Sequence, residues 1–214
     1  GQLLSKSTPS TIEFISDMQI RLRKAGGRLM LRTTAFGLYD SLVTGLIERV
    51  TDHLTAPHET LPREIFHIVR PRQIVLATGA LERGLAFGNN DRPGVMLGHA
   101  VARYARRFGV VAGSSCVMAT CHDGSYDDAL QLAETGLQIT MLDVRPYHTE
   151  AQEAGRRAGL DILFETVPVN VAGRMQCAGL EIGSRVTDGS VRSDNKMIGA
   201  DVVGVSGGYS PCLL

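Results

Sequence analysis

The sequence predicts an α/β fold, in which a parallel β-sheet packs against helices and a small antiparallel β-meander is attached. The 214 residues are 43% hydrophobic, which is enough for one large domain or two small ones with a buried core. Apolar, β-branched runs alternate with stretches of helical period. Several runs end at small residues, as 74–77 does at Thr78-Gly79. Strands of a parallel sheet present their carboxyl ends to ligands in this way.

Composition argues against several functional classes. Lysine plus arginine equals aspartate plus glutamate, at 22 each, so no net charge favours nucleic acid or an anionic membrane as a partner. No apolar run reaches the length of a membrane span, and no secretory signal is visible. The cysteines form no C-x-x-C and, with six histidines, no zinc-ligand spacing. We therefore expect four unpaired thiols (Cys116, Cys121, Cys177 and Cys212), a reducing cytoplasmic location and no metal site.

The first third of the chain predicts a helix, a strand and a meander. Ser10 or Thr11 can cap the helix, and Gly26-Gly27 ends it. The predicted elements are a helix over Thr11–Lys24, a strand over Arg28–Thr34, two antiparallel strands over Leu42–Val50 and Glu64–Val69, and a buried parallel strand over residues 74–77.

The middle of the chain predicts a complete β-turn-α-β unit of Rossmann proportions. It consists of a strand over Cys116–Thr120, a helix over Tyr126–Thr135 and a strand over Gln138–Leu142. The other predicted elements are helices over Gly94–Arg107 and Glu150–Ala158, a strand over Asp161–Thr166, a hairpin region over Val167–Ile182 and Ser184–Ser193 that turns at Asp188-Gly189, and a last strand over Ala200–Val205.

The turn Cys121–Ser125 stands where a dinucleotide fingerprint would place several glycines. Glycines let backbone amides approach a pyrophosphate at a helix N-terminus, and only Gly124 remains. Asp123 would put negative charge at the phosphate position, although it could equally cap the helix. Asp143 is the acid that such sites use for a ribose hydroxyl, or else a solvated carboxylate at a strand end. We predict a degenerate second domain without a working nucleotide site.

A few other polar residues are candidates for chemistry. Arg92 could bind a phosphate or carboxylate, but such an arginine is more often a structural tether between domains. We interpret His99 as a packing residue, whereas the position of His122 after a strand makes it a better functional candidate. The sequence contains no supported Ser-His-Asp order, no H-E-x-x-H and no P-loop.

Four segments resemble the α subunit of heterotetrameric sarcosine oxidase in their order and spacing. They are RTTAFGLYD (32–40), VRPRQIVLATGALERGLAFGNNDRPGVML (69–97), RYARRFGV (103–110) and SGGYSP (206–211). The α-type subunits of opine oxidase, hydrogen cyanide synthase and amino-acid dehydrogenases are similar, but less closely.

The resemblance implies a Rossmann-like, FAD/NAD(P)-binding fold like that of glutathione reductase, with two dinucleotide-binding domains. It implies NAD in the intact α subunit, and FAD and FMN in the wider complex. Sarcosine would be oxidatively demethylated in a β-like flavoprotein subunit, so no catalytic residue is expected in this segment. The segment alone would be inactive and would act within a hetero-oligomer.

The resemblance also implies part of an NAD pocket. Gly1 and Gln2 match the loop after the ribose-binding acid, and Ala35 matches the position whose backbone meets the adenine. Thr78 and Gly79 would pass near the pyrophosphate. The family's glycine-rich fingerprint and ribose-binding acid would lie upstream of Gly1.

The sequence also leads us to expect a division into two domains and to consider an alternative function. Residues 1–94 and 197–214 would form the first dinucleotide-binding domain, and residues 95–196 would form the second, degenerate one. As an alternative function, the region would serve as an assembly scaffold, with the turn Cys121–Ser125 facing a partner subunit.

Overall fold

The computed structural model describes residues 9–186 and 188–212. They form two compact units. Unit 1 contains the described residues up to Gly79 together with Cys212, and unit 2 is Ala80–Pro211. The predicted α/β class, with a parallel sheet, helices and an antiparallel meander, is confirmed. None of the described helices is both long enough and apolar enough to cross a membrane.

The described part of unit 1 contains one α-helix, a short 3-10 helix (Asp40–Leu42) and a three-stranded antiparallel meander of order β1-β2-β3. The predicted strand over Arg28–Thr34 is misplaced, because β1 begins only at Thr33. Arg32 has a φ of 52°, in the left-handed region, which interrupts an extended chain at that point. The elements are α1 (Pro9–Lys24), β1 (Thr33–Tyr39), β2 (Val43–Arg49) and β3 (Glu64–Val69).

The meander of unit 1 buries little apolar surface. Among residues 13–79, only Gly45 and Thr51 are buried. The rings of Phe36 and Phe66 lie 5.5 Å apart, and Phe36 covers Gly45 so closely that a Cβ there would be 2.4 Å from its ring. Even so, Phe66 is 59% exposed and Ile68 71%. The apolar side chains of the meander are therefore largely uncovered within unit 1.

The predicted buried strand at residues 74–77 is wrong. Residues 73–79 have no regular secondary structure, and Val75 is 89% exposed. A strand needs a neighbour to satisfy its backbone hydrogen bonds, and no strand among the described residues pairs with this segment. The apolar pattern alone is therefore not sufficient to form the strand.

Unit 2 is built on a five-stranded parallel sheet. The predicted helix over Gly94–Arg107 begins later, at Gly98, because residues 95–97 pair with another strand as the edge of this sheet. The first elements in chain order are β4 (Ala80–Glu82), β5 (Val95–Leu97), α2 (Gly98–Phe108), β6 (Ser115–Thr120), α3 (Gly124–Ala133), β7 (Gln138–Asp143), α4 (Glu150–Arg157) and β8 (Asp161–Phe164).

The rest of unit 2 supplies an antiparallel sheet and the last strand of the parallel one. The elements are β9 (Thr166–Ala172), β10 (Gly179–Arg185), β11 (Val191–Ile198), β12 (Val202–Ser206) and β13 (Tyr209–Pro211). The parallel sheet has the order β5-β12-β6-β7-β8, the antiparallel sheet the order β11-β10-β9, and β13 pairs with β4. The predicted hairpin region thus has three strands, and the turn at Asp188-Gly189 is confirmed.

The parallel sheet is covered on both faces, which makes unit 2 a three-layer structure. Alternate residues of β6 point to opposite sides: Met118 packs with Tyr126 and Leu132 of the helices, whereas Val117 packs with Leu180 of the antiparallel sheet. Both clusters of buried apolar residues found among the described residues lie in unit 2. A buried core therefore exists on each side of the strands that carry the turn at residues 121–125.

The last strand of the parallel sheet lies in unit 2, whereas the sequence assigned residues 197–214 to the first domain. β12 inserts between β5 and β6, where Val202, Val203 and Val205 are buried. An apolar run shows that a strand is buried, but it does not show which sheet contains the strand. Which units bind a dinucleotide stays a prediction.

Candidate functional site

The residues predicted to form an NAD pocket lie in or before unit 1. Gly1 and Gln2 are outside the described residues. Ala35 lies exposed in β1 and pairs with Leu46 of β2. Among the described residues, no hydrogen bond connects Ala35 to Thr78 or Gly79.

Thr78 and Gly79 lie where the chain leaves unit 1. The hydroxyl of Thr78 donates to the carbonyl of Cys212, and the amide of Cys212 donates to the carbonyl of Gly79 at 3.0 Å. Gly79 has a φ of 79°, and no atom lies within 4 Å of where its Cβ would be. This position therefore combines a left-handed backbone with open space, which suits close approach of a ligand to the main chain.

The carboxyl edge of the parallel sheet in unit 2 carries a dense polar network. Asp123 is at the N-cap of α3 but makes no side-chain capping hydrogen bond. Its carboxylate instead lies 2.9 Å from Arg145 Nη1 and accepts from the hydroxyl of Thr149, also at 2.9 Å. The capping role that the sequence allowed is therefore absent, and Asp123 ties the β6–α3 turn to the segment after β7.

Asp143 is neither a free ribose-binding acid nor a solvated carboxylate. Its side chain is 0% exposed. It accepts from the hydroxyl of Tyr126 (2.8 Å), from Gln152 Nε2 (2.9 Å) and from two nitrogens of Arg145 (3.0 and 2.9 Å). Burial alone would raise the pKa of Asp143, but the hydrogen bonds led by Arg145 outweigh it and lower the pKa. A buried ion pair therefore fills the position of the ribose-binding acid.

His122, the candidate that follows β6, belongs to a directional chain of hydrogen bonds. Its Nδ1 accepts from the amide of Gly124 at 3.1 Å, which assigns the proton to Nε2. Nε2 lies 2.7 Å from the hydroxyl of Ser206, at the end of β12, and Ser206 in turn donates to Glu82. Burial, and then the charge of Arg145, lowers the pKa of His122. Burial raises the pKa of Glu82, although the bond from Ser206 opposes this.

This order of groups argues against nucleophilic hydrolysis. In a catalytic triad the imidazole lies between the carboxylate and the hydroxyl, so that it can remove the hydroxyl proton. Here the hydroxyl of Ser206 lies in the middle and is itself the donor to Glu82. The chain can hold or pass a proton between His122 and Glu82, but it does not activate Ser206.

The other two polar candidates have structural partners within unit 2. Arg92 donates to the carbonyl of Gly173, so it is a tether within unit 2 and not, as predicted, between domains. His99 is more than a packing residue, because its Nδ1 lies 3.2 Å from Asp128, which also pairs with Arg106 at 3.0 Å. Arg106 Nε and Nη2 are buried without a partner among the described residues.

The four cysteines are free thiols, as predicted. Cys116 is 1% exposed within β6, and burial raises its pKa to about 12. Cys121 and Cys212 are half-buried. Cys116 therefore stays an unreactive thiol as long as unit 2 is folded.

The network contains several residues that the sequence did not single out: Glu82, Tyr126, Arg145, Gln152 and Ser206. One local signal was available, because Thr149 and Gln152 form a capping box of the T-x-x-Q type at the start of α4. Some of the other contacts are also short in sequence, such as Arg145–Asp143 at 2 positions and Gln152–Asp143 at 9. Tyr126–Asp143 and Glu82–Ser206 join residues 17 and 124 positions apart and have no local pattern.

Curated proteins of known function resemble this chain. It is 35% identical over 185 residues to sarcosine oxidase subunit alpha of Corynebacterium sp. (strain P-1), covering 84% of this chain and 19% of that protein. It is 32% identical over 221 aligned residues to the subunit of the same name in Rhizobium meliloti (strain 1021), covering 100% and 21%. The chain thus spans about a fifth of the length of these relatives. No protein-family profile matches it.

Solved structures agree with the fold. Thioredoxin reductase of Lactococcus lactis has a TM-score of 0.63 at 15% identity, over 99% of this chain and 67% of that one. Bacillithiol disulfide reductase of Bacillus cereus has a TM-score of 0.58 at 16% identity, over 94% and 57%. At such identities the similarity concerns the fold alone. Together with the curated relatives, it confirms the resemblance drawn from the motifs: the chain is homologous to a segment of the sarcosine oxidase α subunit.

Proposed function

We propose that this chain is a segment of a sarcosine oxidase α-like subunit and contributes to an NAD-binding region of an amine oxidoreductase complex. The similarity over the whole chain to a named α subunit carries the proposal. In this proposal, oxidative demethylation of sarcosine occurs at a flavin in a β-like subunit, with FAD and FMN held in the wider complex. The segment itself supplies one wall of the NAD pocket.

Thr78 and Gly79 form that wall in the proposal, with Ala35, Gly1 and Gln2 completing the contribution of the segment. The left-handed backbone and open space at Gly79 support the assignment, because a main chain without a side chain lets a pyrophosphate approach closely.

Calorimetric titration of the full-length protein with NAD tests this proposal. Gly79→Ala should weaken NAD binding by at least about tenfold, because the new Cβ obstructs the approach of the ligand. Gly136→Ala is a matched control, since Gly136 also has a positive φ of 86° and open space around its Cβ position. Absence of NAD binding by the unmodified protein, or equal effects of the two substitutions, would contradict the assignment.

A second candidate function, an assembly scaffold, is favoured by the uncovered meander of unit 1. Phe66 and Ile68 expose apolar side chains, whereas the exposed residues of the turn Cys121–Ser125 are Asp123 and Gly124, which offer no apolar side chain. The meander is therefore a better contact surface for a β-like subunit than the turn. Co-purification of that subunit with wild type, but not with a Phe66→Ser/Ile68→Ser variant, would support this function; equal recovery would contradict it.

A further inference from the structure

A cavity of about 210 Å³ opens at the carboxyl edge of the parallel sheet in unit 2. It is bounded by the ends of β6 and β7, by the segment after β4 and by β9. We call it the ring slot, and its walls include Ala86, Ala119, Leu142, Val144 and Val167. Crevices at the carboxyl ends of parallel strands are the usual ligand sites of such sheets.

No ionised carboxylate, guanidinium or ammonium group lines the ring slot. Two aspartates close to the ends of β6 and β7, Asp123 and Asp143, are already paired. Asp143, which precedes Val144, is buried and held by Arg145, and the same guanidinium pairs with Asp123. A phosphate entering here would find no cationic side chain among the lining residues to compensate its charge, so the slot disfavours an anionic ligand.

The polar side chains of the wall are also occupied. Thr120 Oγ1 lies 2.7 Å from the hydroxyl of Ser125 and 3.1 Å from the carbonyl of His122. Thr166 donates to the carbonyl of Phe164 at 2.8 Å. The thiol of Cys121 makes only a long contact of 3.9 Å, with the carbonyl of Ser206. The wall therefore offers mainly apolar contact, with few free hydrogen-bonding groups.

The size of the slot suits one or two fused rings. An apolar cavity of about 150 Å³ is large enough to bind benzene. We propose that the ring slot binds a single uncharged planar ring system, and that it does so without a phosphate group. This site is separate from the proposed NAD wall at Gly79, and it does not depend on that proposal.

Indole and indole-3-carboxylate are suitable probes, because they share a ring system and differ in charge. Titration of the full-length protein should show binding of indole and at least about tenfold weaker binding of the carboxylate. Ala86→Phe and Val144→Phe fill the slot from different walls, and each should weaken indole binding by at least about tenfold. Ala158→Phe, at an exposed position after α4, is the matched control and should change the affinity by less than about twofold.

A second measurement needs no substitution in the walls. Cys121 lines the slot, so bound indole should slow its labelling by a neutral thiol reagent, while Cys212 in unit 1 reacts at an unchanged rate. The proposal is overturned if wild type does not bind indole, if the carboxylate binds as tightly, or if both filled variants keep their affinity. Unchanged labelling of Cys121 at saturating indole would overturn it as well.

Discussion

Substituting Tyr126 with phenylalanine isolates one hydrogen bond of the buried network. The ring of Tyr126 is fully buried and would remain in place, while Asp143 would lose a donor at 2.8 Å. Hydrogen bonds to charged groups contribute about 1.5–3 kcal/mol. Because Arg145 and Gln152 still donate to the same oxygen, we expect the lower end, about 1.5 kcal/mol of unfolding free energy.

Cys116 provides a readout that is specific to unit 2. Its thiol is buried and its pKa is raised to about 12, so labelling requires opening of the parallel sheet. When closing is faster than labelling, a loss of about 1.5 kcal/mol raises the labelling rate by roughly tenfold. Tyr39→Phe, at an exposed tyrosine of unit 1, should leave the rate unchanged.

The pH dependence of this loss of unfolding free energy tests whether the loss comes from the hydrogen bond between Tyr126 and the ionised carboxylate of Asp143. The pKa of Asp143 is lowered in the folded state, so its stabilising contribution is full above the unfolded value of about 4 and is lost as the pH falls through the folded value. The difference in unfolding free energy between wild type and Tyr126→Phe should therefore narrow below about pH 4 in urea titrations. A labelling rate equal to that of wild type at neutral pH, or a difference that does not change with pH, would refute this reasoning.

Three further predictions concern unit 2, and Cys116 labelling measures each of them. Ser206→Ala removes the donor to Glu82 and the acceptor of His122, and should cost about 1–3 kcal/mol, whereas Ser190→Ala in an exposed turn should cost little. Because burial lowers the pKa of His122 in the folded state, the unfolding free energy should fall as the pH drops below the imidazole pKa of the unfolded chain, about 6.5. His122→Asn should remove that part of the fall. Parallel pH profiles of wild type and His122→Asn would contradict this prediction. Gly155→Ala places a Cβ 2.9 Å from the buried ring of Tyr126, so the overpacking cost of about 1–3 kcal/mol should exceed the helix-propensity gain of about 1 kcal/mol. A Gly155→Ala variant more stable than wild type would refute this. Gly199→Ala is the control, because no atom lies close to its Cβ position.

The sequence predicts the elements of unit 2 well because local pattern and burial agree there. β6, α3 and β7 lie within a few residues of their predicted bounds, since apolar runs separated by a turn and an amphipathic helix are local signals. The predicted strand at residues 74–77 is wrong because local pattern and burial disagree there. Its apolar residues are typical of a strand, but strand formation depends on a partner that the described residues do not supply.

The candidate site was only partly predictable. The loss of glycines at Cys121–Ser125 predicts a degenerate turn, and this stays a prediction. The structure adds that Asp123 and Asp143 are both paired with Arg145 there. The connection of Glu82 to His122 through Ser206 depends on three segments meeting at one sheet edge. No periodicity or spacing encodes that meeting, because it depends on the strand order.

The pairing of β4 with β13 has a consequence for how such a chain can be altered in evolution. These two short strands are the first and last of unit 2, and their antiparallel pairing, with Ala80 opposite Pro211, brings the entry and the exit of the unit side by side. A domain whose ends are adjacent can be inserted into a host chain, or removed from it, by closing a short gap. Unit 2 therefore has the topology of a transferable module, and a direct link between Gly79 and Cys212, whose backbones are already hydrogen-bonded, is the natural site for deleting it.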